Sequence, residues 1–275
     1  SNTVITQICA DALGMPVSSF ELIGPDTALT PDCGKTSASR QTVITGKAAE
    51  LAGRQLRADI LRLGNMDASA RFSLTGGDLV ITDGQTSRQI DLSAMPQNEF
   101  GYVLMAEESF DPPTGALDAD GQGVPYAVFG YGAQMAEVEV DVRLGTVKVV
   151  HIHAAHDLGR VINPMLATGQ IEGGIAQGLG LALMEEFIPG RTENLHDYLI
   201  PSTGDMPQIT THLIEKPDPI GPMGAKGLGE HVLIPTAPAI LNAIRDACGA
   251  EITQLPALPH RVLAAIKKAE KGAAA

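Results

Sequence analysis

Ala136-Glu137-Val138-Glu139-Val140-Asp141-Val142-Arg143-Leu144-Gly145-Thr146-Val147-Lys148-Val149-Val150-His151-Ile152 carries the plainest structural pattern of the chain. Small and β-branched residues alternate with charged ones from 136 to 143, a period of two that gives a strand one apolar and one wet face. Leu144-Gly145 turns the chain, and Val147–Ile152 return as a second strand. Downstream, residues 168–186 read as a helix despite five glycines. A short strand is expected near 208–214, and further helices at about 236–247 and 258–270. Upstream, residues 3–14 form a helical pattern that Thr3 can cap and Gly14 can stop, with Val4, Ile5, Ile8, Cys9 and Leu13 on one face. A second helix is expected near 42–63. Phe72, Leu74, Gly76-Gly77, Leu79 and Ile81 spell a hairpin. Strands and helices follow no regular βαβα order, so the class is α+β, with small antiparallel or mixed sheets flanked by helices in two mixed subdomains. Residues 111–125 are rich in Pro, Gly and Asp. The boundary falls there, giving a first part over 1–120 and a second over 121–275.

Composition narrows what such a fold can do. Of 275 residues, 44% are hydrophobic, enough for a sizeable core, and with no tryptophan and 4% aromatics that core is aliphatic. A formal charge of −13 argues against nucleic acid or an anionic membrane as partner. It does not exclude an anionic cofactor, because a local nest of backbone N–H groups binds one inside an acidic protein. Cys9, Cys33 and Cys248 are odd in number and far apart, with no CxxC pair, so no iron–sulfur or zinc site is signalled and a reducing, cytoplasmic setting is expected. No 18-residue apolar run and no signal peptide are recognised, and a soluble chain is expected.

Four segments can carry chemistry. Gly221-Pro222-Met223-Gly224-Ala225-Lys226-Gly227-Leu228-Gly229-Glu230 sets four glycines and one carboxylate ahead of an apolar run. It lets backbone N–H groups approach a ligand and delivers one acid at the end of the loop; the plain alternative is a glycine-rich connection before a helix. It is neither a P-loop nor a dinucleotide fingerprint, since GxxxxGK[ST] and GxGxxG are both absent from it. In Pro31-Asp32-Cys33-Gly34-Lys35-Thr36-Ser37-Ala38-Ser39-Arg40-Gln41-Thr42, small hydroxyl residues before a helix can offer donors to an anion or simply cap the helix. Gly169-Gln170-Ile171-Glu172-Gly173-Gly174-Ile175-Ala176-Gln177-Gly178-Leu179-Gly180 suits close approach to a polar ligand, and equally suits helix–helix packing. His151, His153 and His156 invite a metal reading, with the first two on one strand face. Val, Ile and Ala surround them, and a structural role without metal is expected.

Three of these segments resemble one family. GPMGAKGLGE, followed by APAILNAIRDA and LPALPHRVLAAI, resembles the C-terminal end of the molybdenum-binding subunit of the molybdenum hydroxylases, the xanthine dehydrogenase and aldehyde oxidase family. DLGRVINPMLATGQIEGGIAQGLGLALMEE is similar to the glutamine segment of that family, and CGKTSASRQTVITGKA to its pterin-dinucleotide loop. The matches fall in family order across residues 33–265.

The resemblance implies a molybdenum–molybdopterin cofactor, in bacteria usually the cytosine dinucleotide form, whose dithiolene holds the metal so that no side chain here need ligate it. Glu230 matches the catalytic glutamate, a general base for insertion of a water-derived oxygen at an electron-poor carbon. Its glycine-rich surroundings fit a buried carboxylate. Gln170 matches the glutamine that hydrogen-bonds the apical oxo group. Thr36, Ser37, Ala38, Ser39, Arg40 and Gln41, with Lys226, Gly227, Leu228 and Gly229, would cradle the pterin and phosphates, mostly through backbone N–H groups. The opening SNTVITQ resembles the residues just after an internal GQG motif of that subunit. The N-terminal half of the subunit, with its GGGFGGK-type loop, and the iron–sulfur and flavin subunits carrying [2Fe-2S] clusters and FAD are therefore expected as partners. The chain is not expected to be an enzyme alone. HDYLIPSTGDMP favours an N-heterocyclic substrate, purine or nicotinate, by resemblance. An aldehyde or carbon monoxide oxidising member, and a non-catalytic packing module without cofactor, are the alternatives.

Overall fold

The computed structural model describes residues 1–273. Ala274 and Ala275, the end of the expected second part and of its Lys/Ala tail, lie outside the described residues. The class is α+β, with five α-helices and two three-stranded sheets among the described residues. The chain forms two compact units, Ser1–Phe129 with Pro217–Gly227, and Gly130–Lys216 with Leu228–Ala275.

In the first unit, α1 (Asn2–Leu13) packs along α2 (Gln41–Gly64). The α1 N-cap is Ser1 rather than Thr3 and makes no side-chain bond, while Gly14 closes the helix in the left-handed conformation. An antiparallel sheet follows in the order β1 (Arg71–Thr75), β2 (Asp78–Thr82), β3 (Ser87–Asp91). The first two strands are the expected hairpin. The third escapes a sequence reading because Ser87-Arg88-Gln89-Ile90-Asp91 has one apolar residue and lies at the sheet edge. Leu13, Ile60, Ala70, Phe72, Leu79 and Ile81 make the core. Arg57 ties it together by donating to the carbonyls of Leu13, Ala68 and Ala70 at 3.0, 2.9 and 2.8 Å, with its guanidinium 4.7 Å from the Phe72 ring centroid.

In the second unit, β4 (Tyr131–Asp141) and β5 (Thr146–Asp157) form the antiparallel pair, and β6 (Gln208–Ile214) adds to β5 in parallel. The register shifts between Glu137 and Val138. Ala136 therefore faces Ile152 while Val138 faces Val149, and β5 bulges by one residue. One sheet face buries Val149, Ile152 and Ala154 against α3 (Pro164–Leu183), α4 (Thr236–Cys248) and α5 (Pro259–Ala273). α3 begins four residues before the apolar pattern suggests. Asn163 Oδ1 accepts from Leu166 N at 3.1 Å and Pro164 occupies the first turn, a cap that sets the helix start ahead of the glycine-rich stretch.

The glycines of α3 divide by face. A methyl at Gly174 would strike Val232, and one at Gly178 would strike Thr236, so these two let the helix lie directly on the segment leading into α4. Gly169 and Gly173 meet nothing within 4 Å. Among the described residues no helix is long and apolar enough to cross a membrane.

Candidate functional site

The loop before α2 in the first unit is held by its own hydrogen bonds. Asp32 Oδ1 accepts from Gly34 N at 2.8 Å, and Arg40 Nη1 donates to the carbonyls of Cys33 and Lys35 at 3.2 and 3.1 Å. Gln41 Nε2 donates to Thr36 Oγ1 at 2.8 Å and is steadied by Thr45 Oγ1, which donates to Gln41 Oε1 at 2.7 Å. Ala38 and Ser39 both have positive φ, 55° and 54°, an unusual conformation for residues with side chains. Successive residues bent in this way turn backbone N–H groups in one direction. The α2 N-cap is Arg40, without a side-chain cap bond.

Lys226 and Gly227 meet this loop. A Cβ on Gly227 would collide with the Ser39 carbonyl oxygen, so the two backbones touch only because residue 227 is glycine. Lys226 is buried. The preceding turn is fixed by Asp218, whose Oδ1 accepts from Ile220 N at 2.8 Å and whose N–H donates to Gly224 O at 3.0 Å. Two of the expected cradle segments, 36–41 and 226–227, are thus in contact within one unit.

Leu228, Gly229 and Glu230 continue into the second unit. The Glu230 carbonyl accepts from Leu233 N at 3.0 Å and Ile234 N at 3.3 Å, a turn that leads into α4. The expected burial of Glu230 is not met on this chain: the residue is exposed, as is Gly229, because both stand on the outer side of that turn. Gln170, Gly173 and Gln177 share the exposed stripe of α3, opposite the buried Ile171 and Ile175. Gly174 touches Val232, so Gln170 lies one turn along α3 from the helix's contact with the segment that carries Glu230.

Behind that segment runs a buried polar chain that sequence reasoning missed. Thr236 Oγ1 donates to Gln134 Oε1 at 2.8 Å, and Gln134 Nε2 donates to Val232 O at 2.8 Å and to His156 Nε2 at 3.2 Å. An amide nitrogen only donates, so His156 carries its proton on Nδ1, which lies 3.4 Å from His231 Nδ1. The two rings meet edge to face at 5.1 Å between centroids. Burial, together with the neighbouring His231, lowers the His156 pKa from its ordinary 6.5 to about 4, and the ring is neutral at pH 7.

His151 and His153 point to the opposite face of β5, their rings 4.0 Å apart. Glu137 stands across from His151 on β4, its Oε1 3.5 Å from His153 Nε2. Strand pairing brings this carboxylate to the two rings, a placement that only the bulged register reveals. A cleft in this unit, lined by Lys148, Leu179, Asp205 and Met206 among others, contains none of the expected site residues.

Residues 1–207 match the molybdopterin cofactor-binding domain family. The chain belongs to that family of the molybdenum hydroxylases. It is 32% identical over 277 residues to the xanthine dehydrogenase molybdenum-binding subunit of Escherichia coli O157:H7, covering 95% of this chain and 35% of that subunit. Among solved structures of the family, it superposes on the aldehyde oxidoreductase of Desulfovibrio desulfuricans with a TM-score of 0.76 and 31% identity, over 95% of this chain and 27% of that one. On quinoline 2-oxidoreductase of Pseudomonas putida 86 the TM-score is 0.77 at 29% identity, over 98% and 35%. The chain therefore spans between about a quarter and about a third of the length of these family members.

Proposed function

We propose that the chain is the molybdopterin-binding part of a molybdenum hydroxylase that inserts a water-derived oxygen at an electron-poor carbon of an N-heterocycle of the purine or nicotinate type. The observation that carries this reading is the contact of Gly227 with the Ser39 carbonyl, from which one loop runs on to Glu230. The residues present fit the cofactor. The positive-φ turn at Ala38–Ser39 and the α2 N-terminus, which has no side-chain cap bond, offer N–H groups suited to the phosphates of a pterin dinucleotide, cytosine being the form we propose. Thr36, Ser37, Arg40 and Gln41, with Lys226 to Gly229, complete the cradle in this reading.

The cofactor, when bound, would pass on the water-derived oxygen and take up the electrons of the oxidation. Gln170, on the exposed stripe of α3, would offer its side-chain amide as a hydrogen-bond donor to the bound cofactor. Glu230, exposed on this chain, would act as the base that takes up a proton during the oxidation. In the proposed division, the first part, 1–120, bears the pterin-dinucleotide loop and the second, 121–275, bears Gln170 and Glu230. The N-terminal half of the subunit and iron–sulfur and flavin subunits, with [2Fe-2S] clusters and FAD, complete the enzyme. An aldehyde-oxidising activity is the second reading, supported by the likeness to an aldehyde oxidoreductase at 31% identity.

Glu230→Gln tests the base. In the assembled enzyme the variant is expected to keep its molybdenum while turnover falls by at least ~10²-fold, the usual scale for loss of a general base. Full turnover at full molybdenum content would remove Glu230 from that role.

A further inference from the structure

We propose that Glu137, His151 and His153 form a Zn²⁺ site on the solvent face of the β4–β5–β6 sheet. The sequence spacing supplies the first half of the argument. His151 and His153 are two apart on β5, so both rings leave the sheet on the side opposite the fully buried Ile152 and Ala154. The bulge supplies the second half, because it sets Glu137 opposite His151 while its carboxylate reaches His153 diagonally.

The distances suit a shared ion. One ligand atom from each of the three residues lies within 4.8 Å of the other two. Zinc bonds to imidazole and carboxylate run ~2.0–2.2 Å, which puts neighbouring ligand atoms of a tetrahedron about 3.4 Å apart. The observed 3.5 Å between His153 Nε2 and Glu137 Oε1 already matches that edge. His151 Nε2 lies 2.8 Å from Thr210 Oγ1 on β6, leaving Nδ1 to the metal while Nε2–H donates to the hydroxyl. Such an outer hydrogen bond is the usual companion of a metal-bound imidazole. Two imidazoles and one carboxylate with a fourth position open to water favour Zn²⁺ over Mg²⁺ or Ca²⁺, which take all-oxygen sets. All four residues belong to the second unit, and the ion would join β4 to β5 where the bulge interrupts their ladder. This revises, for two of the three histidines, the reading drawn from spacing alone; His156, in the core, takes no part.

Zinc titration of the full chain, purified with the subunits that accompany it and stripped with chelator, tests the site by calorimetry. Wild type is expected to bind Zn²⁺ in a one-to-one step, insensitive to excess Mg²⁺. His153→Ala and Glu137→Gln should each weaken that step by more than tenfold, and Thr210→Val by ~10-fold or more, the range typical of outer-partner mutations. His212→Ala, on β6 but outside the cluster, should leave it unchanged. Circular dichroism without zinc checks that each variant folds. Zinc-edge X-ray absorption on wild type should show two imidazoles per ion. A titration in which Glu137→Gln or the His151→Ala/His153→Ala pair binds like wild type, no step in wild type, or a zinc spectrum without imidazole would each overturn the proposal.

Discussion

Gly227 has no room for a side chain. A methyl there would press on the Ser39 carbonyl and Cβ, both backbone-anchored, so relief requires moving the loop rather than rotating a side chain. Gly227→Ala is expected to destabilise the first unit by ~1–3 kcal/mol, the range for inserting a methyl into a tight contact. Melting temperature reads the effect; an unchanged midpoint would mean that the two backbones are not held together. His156 gives a residue-scale prediction of a different kind. Its pKa of about 4 in the fold lies below the ordinary 6.5 of the unfolded chain, so the unfolded state binds more protons between these values. The contribution to stability is full above pH 6.5 and is lost as pH falls toward 4, by up to on the order of 3 kcal/mol. Urea unfolding at pH 7 and 4.5 measures it, and His156→Gln should lose less between the two; an equal loss in both proteins would show that another group is responsible. Neither the Gln134–His156–His231 chain nor the Glu137 cluster was legible in the sequence. His156 and His231 are 75 residues apart, and the Glu137 pairing depends on a bulge that strict alternation does not anticipate.

At the scale of elements, the strands with alternating apolar residues and the helices with regular apolar faces follow from local pattern. α3 shows the limit of that reading, because its glycines were compatible with a ligand or with packing. The structure divides them: Gly174 and Gly178 pack, whereas Gly169 and Gly173 face open space beside Gln170. The two classes predict opposite signs. Gly173→Ala should stabilise by up to ~1 kcal/mol through helix propensity alone. Gly178→Ala gains the same propensity but drives a methyl into Thr236, and overpacking of ~1–3 kcal/mol should outweigh it. Thermal melts of the pair decide the matter, and stabilisation by both would contradict the packing of α3 on Thr236. β3 was not legible for a different reason: an edge strand buries little, so nothing forces its sequence to alternate.

At the scale of the whole molecule, the family was legible because three segments with distinct physical tasks occur in order: a loop of N–H donors, a helix with small residues, and a close-approach loop ending in an acid. The exposure of Glu230 and of several large apolar residues was not legible in the sequence. Glu230 is exposed, and large apolar residues stand in solvent, Phe187 and Leu195 in the second unit and Leu29 and Phe100 in the first. In the proposed reading these exposed residues meet other polypeptide, and the chain covers 35% and 27% of two related chains. The most direct measurement is molybdenum analysis and nucleotide release on the chain purified with its natural partners. The account predicts stoichiometric molybdenum and, after acid hydrolysis, an equal amount of cytidine monophosphate. A folded, intact complex containing neither molybdenum nor a pterin nucleotide would contradict it.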